Sequence, residues 1–87
     1  MQLIFHGPFD KIAGKQVEIA LSAPAELRRI LHILKGRYPG LSTCLSDESD
    51  EALSAHIMFL RGGRFLRLAE MVHDEDRVDV LLPVTGG

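Results

Sequence analysis

The residues best suited to chemistry stand together in one run, Pro83-Val84-Thr85-Gly86-Gly87. Glycine has no Cβ, so Gly86 and Gly87 can pass a narrow channel and turn freely. A carboxylate is a poor acyl donor because its oxygen leaves badly, so such a group works only after activation. Val84 and Thr85 can pair as an added strand with a partner. Pro83 restricts the root of the tail and lowers the entropy lost on docking. The plain alternative is a frayed terminus.

No other reactive side chains gather in this way. His6, His32, His56 and His73 are dispersed, with no Cys or His partner at zinc spacing, so no metal site is expected. Cys44 lies among Leu41, Thr43 and Leu45, where an inert buried thiol is the expectation. The acidic stretch with Asp47, Glu48, Asp50 and Glu51 lacks the ordered ligand spacing of a calcium loop and reads as exposed. Neither G-x-x-x-x-G-K nor G-x-G-x-x-G occurs, so no nucleotide site is expected in this chain. Arg28, Arg29, Lys35 and Arg37 are too sparse for a nucleic-acid groove, and the net charge of -2 argues the same way.

The elements that must position the tail follow from pattern. An 87-residue chain with 46% hydrophobic and 25% charged residues fits one small globular domain. Met1-Leu3-Phe5 alternate with Gln2-Ile4-His6, a strand pattern ended by Gly7-Pro8. After a loop with Asp10, Lys11, Gly14 and Lys15, Val17, Ile19 and Leu21 mark a second strand. Pro24 suits the first position of a helix, with Ser22 or Ala23 as its cap. Leu27, Ile30, Leu31, Leu34 and Tyr38 then share one helical face, and Pro39-Gly40 ends it. Leu41 to Leu45 suggests a short helical turn, and Ser46 to Ser54 an exposed loop. His56 to Leu60 is a third strand, Arg61-Gly62-Gly63-Arg64 a turn and Phe65 to Leu68 a fourth strand. His73 to Asp76 is a polar turn. Arg77 to Leu82 is the last strand, with Val78, Val80 and Leu82 on one face. The order β-β-α-β-β-β calls for an α+β domain over residues 1–82, a mixed five-stranded sheet with one main helix across it, followed by a free tail over 83–87. This is the order of the ubiquitin-like β-grasp fold.

The segment from His73 through Val80 to Pro83-Val84-Thr85-Gly86-Gly87 closely resembles the end of the MoaD family, the small subunit of molybdopterin synthase. Arg37-Tyr38-Pro39-Gly40-Leu41 resembles the end of that family's helix. Leu82 stands where many members have a second proline. The thiamine sulfur carriers are similar in fold and also end in Gly-Gly, but usually lack the Pro-Val-Thr lead. The resemblance implies a sulfur carrier that is not catalytic alone. A separate adenylating enzyme would bind ATP and Mg²⁺ and convert the Gly87 carboxylate to an acyl-adenylate, and sulfide from a persulfide donor would then displace AMP to leave a thiocarboxylate. The large catalytic subunit of molybdopterin synthase would receive that sulfur, in a heterotetramer. No cofactor is expected on this chain.

For a docking surface, Met58 and Leu60 should face opposite to Ile57 and Phe59, with Ile4, Phe65 and Leu81 joining one of these sets on the face away from the helix. An uncovered apolar face there would mark a partner site; ordinary core is the alternative. Arg61 and Arg64, with Arg67, would steer an acidic partner or simply solvate their turn. Four functions stay open: a carrier for molybdopterin or tungsten-type cofactor, a carrier for thiamine, cysteine or thiolated tRNA, a protein modifier, and a plain binding module. The lone cysteine, the lack of a charged leader and the lack of an apolar run of ~20 residues point to a soluble cytoplasmic protein, with neither membrane nor nucleic acid as partner.

Overall fold

A computed structural model of the chain describes residues 1–83. The five-stranded sheet is built from β1 (Gln2–Phe5), β2 (Gln16–Glu18), β4 (Met58–Arg61), β5 (Arg64–Phe65) and β7 (Arg77–Leu81), in the order β2-β1-β7-β4-β5. Only β1 and β7 run parallel, Gln2 opposite Arg77 and Phe5 opposite Val80; the other pairs are antiparallel. The sheet is therefore mixed, and its centre is the strand that leads into the tail. A second pair, β3 (Ala25–Glu26) with β6 (Met71–Val72), lies apart from it. The helices are α1 (Asp10–Ala13), α2 (Leu27–Arg37) and α3 (Asp50–Ser54), with a 3₁₀ turn at Pro39–Leu41. The ubiquitin-like β-grasp read from the sequence is the fold observed.

Alternation puts Leu3 and Phe5, Val17, Ile57 and Phe59, and Val78 and Val80 on one sheet face, all buried. Against them α2 lays Leu27, Ile30, Leu31 and Leu34, each fully buried, at the i, i+3, i+4, i+7 spacing of a single stripe. Burying such side chains contributes about 1.5–3 kcal/mol each before chain entropy is counted, so this layer dominates stability.

The helix starts later than its proline suggests. Pro24 precedes it, Glu26 is the cap in extended conformation, and no side chain caps the first turn. Instead Leu27 N donates to Glu70 O at 2.9 Å and Arg28 N to Leu68 O at 3.0 Å. The 68–70 backbone thus satisfies amides that would otherwise need a cap, and the β3–β6 pairing holds the residues before Leu27 extended.

Three further segments differ from expectation. Asp10–Ala13, read as loop, is a single helical turn. Half of the acidic stretch read as an exposed loop is α3, with Ser49 Oγ accepting from Ala52 N at 3.0 Å and Leu53 buried. One buried residue in one turn leaves no periodicity to detect, so the capping serine and the acidic first turn of Asp50 and Glu51 were its signals. The fourth strand stops at Phe65: Leu66 N still bonds Phe59 O, but Leu66 and Leu68 turn into the core. The turn before it is as expected, with Gly62 and Gly63 at φ 58° and 77°, the conformation of a two-residue hairpin loop.

Candidate functional site

β7 brings the end of the chain out of the middle of the sheet. Leu81 closes the strand, Leu82 lies beyond it and is exposed, and Pro83 is half-buried. Leu82, grouped by alternation with Val78 and Val80, is thus not part of the inner layer, because the ladder ends one residue earlier. Val84, Thr85, Gly86 and Gly87 lie outside the described residues.

The outer face of the sheet is set by register. Ile4 stands opposite Asp79, Asp79 opposite Leu60, Leu60 opposite Phe65, and Leu81 opposite Met58. Ile4, Met58, Leu60 and Leu81 are half-buried and Phe65 is exposed, so the described residues leave an apolar field uncovered where β7 ends. The expected opposition of Met58 and Leu60 to Ile57 and Phe59 holds. Gln2, Glu18 and Arg77 form a polar row at the other end of the same face. The face is therefore graded, polar where β7 begins and apolar where it ends.

Two residues that pattern alone did not single out sit within this field. Asp79 Oδ1 is 3.1 Å from His6 Nε2, and both side chains are partly exposed. Parity with Leu81 was the available signal for Asp79; its neighbours across the ladder could not be read without the β1–β7 pairing.

The two arginines proposed for steering part ways. Arg61 Nη1 donates to Met71 O and to Asp76 Oδ2, both at 2.8 Å, and Glu70 lies at 3.7 Å. Its guanidinium is used within the domain, tying β4 to β6 and to the turn before β7. The Arg64 side chain is exposed and makes no hydrogen bond or ion pair among the described residues. Asp76 is only 18% exposed. Burial alone would raise its pKa, but the His73 N–H bond and the Arg61 guanidinium outweigh it and hold the carboxyl below the usual range. Asp74 is also held low, by the Leu21 N–H and then by the Met1 ammonium. Both perturbed carboxylates hold turns in place. Cys44 is half-buried against the core. Among the described residues no group of three metal-ligating side chains forms, and no helix is long and apolar enough to cross a membrane.

The model of the ThiS family matches residues 3–87. Among solved structures, the chain is similar to molybdopterin converting factor subunit 1, as it is described, from Pyrococcus furiosus, at 25% identity over 95% of each chain with TM-score 0.80. It is similar to small archaeal modifier protein 1 of Haloferax volcanii at 28% identity over 97% of each chain, TM-score 0.76. A chain of the Amycolatopsis orientalis BexX/CysO complex, 22% identical over 99% of this chain and 98% of that one at TM-score 0.74, shares the fold. No curated protein gives a significant sequence match.

Proposed function

The chain belongs to the ThiS family, whose members are ubiquitin-fold sulfur carriers, and from that premise we propose that it carries sulfur as a thiocarboxylate on Gly87. Residues 1–82 are the handle and residues 83–87 the working tail. One observation carries the reading: the described chain leaves the central strand at Leu81, beside an apolar sheet face that the described residues leave uncovered, and the sequence that follows is Leu82-Pro83-Val84-Thr85-Gly86-Gly87. A rigid root fixes where the tail starts, and a docking surface next to it lets one partner grip the domain while the tail reaches inside.

The chemistry divides between this chain and its partners. A Gly87 carboxylate oxygen attacks the α-phosphorus of ATP and pyrophosphate leaves, giving an acyl-adenylate. Sulfide attacks the acyl carbon and AMP leaves, giving the thiocarboxylate. ATP and Mg²⁺ belong to the adenylating enzyme. This chain supplies the carboxylate, the slender tail and the grip, and is no catalyst by itself. The proposed setting is the cytoplasm, whose reducing conditions suit the unpaired Cys44.

For the acceptor, we favour the large catalytic subunit of molybdopterin synthase, in a heterotetramer, with the sulfur built into the dithiolene. The Pro-Val-Thr lead and the likeness to the Pyrococcus furiosus converting factor support it. The likeness to small archaeal modifier protein 1 supports a second reading, in which the activated Gly87 forms an isopeptide bond with a lysine. Reconstitution with that large subunit and the cyclic pterin precursor tests the choice. Dithiolene formation, lost on deleting Gly86 and Gly87 while circular dichroism is unchanged, is expected. Covalent lysine adducts in lysate without dithiolene formation would favour the modifier instead.

A further inference from the structure

The outer sheet face holds a carboxylate where an apolar contact would want none. Asp79 has Ile4 on one flank and Leu60 on the other, with Leu81 two residues along its own strand. Its side chain's only bond among the described residues joins Oδ1 and His6 Nε2 at 3.1 Å; Oδ2 has no partner among them. Arg77, on the same face two residues earlier, makes no ion pair with it among those residues. In the free protein water solvates the open oxygen, since the side chain is 39% exposed.

Covering the face removes that water. A desolvated carboxylate with an open oxygen is expensive, and the one bond from His6 to Oδ1 leaves Oδ2 without a partner among the described residues. A purely apolar partner surface would therefore be rejected, and an acidic one rejected more strongly. A guanidinium suits the place best: its planar fork can reach Oδ2 and share Oδ1, and it is weakly hydrated enough to sit among Ile4, Leu60 and Leu81. The occupant is identified by position, because β7 carries both Asp79 and the tail, and the apolar end of the face is the end from which the tail leaves.

We propose that Asp79 is the specificity-determining residue of the docking face, and that the adenylating enzyme that takes the tail sets an arginine, framed by apolar residues, upon it. This rests on the carrier reading above. Complementary charge would then choose the partner, while the surrounding apolar residues supply contact area.

The test is a binding titration of the full chain against the adenylating enzyme of the same source, with wild type, Asp79→Asn and Asp79→Leu, at two salt concentrations. The account expects both variants to bind roughly 30-fold more weakly, and the salt dependence of the wild type to shrink in both. A plain apolar contact makes the opposite forecast for Asp79→Leu, tighter binding, and that result, or unchanged binding of both variants, would overturn the proposal. Asp79→Asn keeps the shape of the side chain and guards against a folding artefact. The wild type's own sulfur loading at saturating enzyme separates the two ideas. Loading with tighter Asp79→Leu binding removes this proposal and leaves the carrier; a wild type that neither binds nor loads removes both.

Discussion

The two faces of the five-stranded sheet use the same strands and the same alternation, yet meet opposite fates. On the inner face Leu3, Phe59, Val78 and Val80 are fully buried under α2. On the outer face Ile4, Met58, Leu60 and Leu81 are nearly as apolar but stay half-buried, and Phe65 is 38% exposed. An inner residue is constrained by packing and an outer one by whatever docks there. The same strand, β7, serves both, with Val78 and Val80 in the core and Asp79 and Leu81 outside. Substitutions that separate stability from binding therefore probe the contrast directly.

The largest effect belongs to the inner face. Phe59→Ala should cost about 3–5 kcal/mol, most of what a domain of this size has to lose, and chemical denaturation would show it as a lower midpoint. Next is the Arg61–Asp76 lock. Asp76→Ala frees the His73 amide and one side of Arg61 and should cost about 2 kcal/mol. Its pH signature has a definite sign. The folded carboxyl is held low, so its contribution is complete above the unfolded value of about 4 and fades as pH falls through the lowered folded value. Wild type should lose stability there more steeply than Asp76→Ala, and equal slopes would show that the lock adds nothing. Ser49→Ala, removing the α3 cap, should cost about 1 kcal/mol. Smallest for stability is the outer face: Leu60→Gln should stay within about 0.5 kcal/mol while weakening the adenylating enzyme's hold about tenfold. A large stability loss there would mean that the faces are not different after all.

What the sequence disclosed follows the range of its interactions. Period two exposed both faces of β1, β4 and β7, and the stripe from Leu27 to Leu34 exposed the helix, because each needs only neighbours along the chain. The start of α2 was misplaced because its amides are satisfied by Leu68 and Glu70 O, far along the chain. β6 and α3 were missed for the same kind of reason, being one or two residues of pairing and one turn of helix. Residue type alone points to the Gly86-Gly87 tail, which lies outside the described residues. Phe65 and Leu81 do lie on the outer face, but Arg61 turned out to serve the fold. Asp79 could not be placed at the centre of the face, since its contact with His6 spans 73 residues.

The most direct measurement is intact mass after incubating the protein with an active adenylating enzyme from the same source, Mg-ATP and a sulfide source. A gain of about 16 Da, one oxygen replaced by sulfur, absent when Gly87 is deleted, is the predicted result. No gain from an enzyme shown to be active would contradict the assignment of Gly87 as the sulfur-bearing residue.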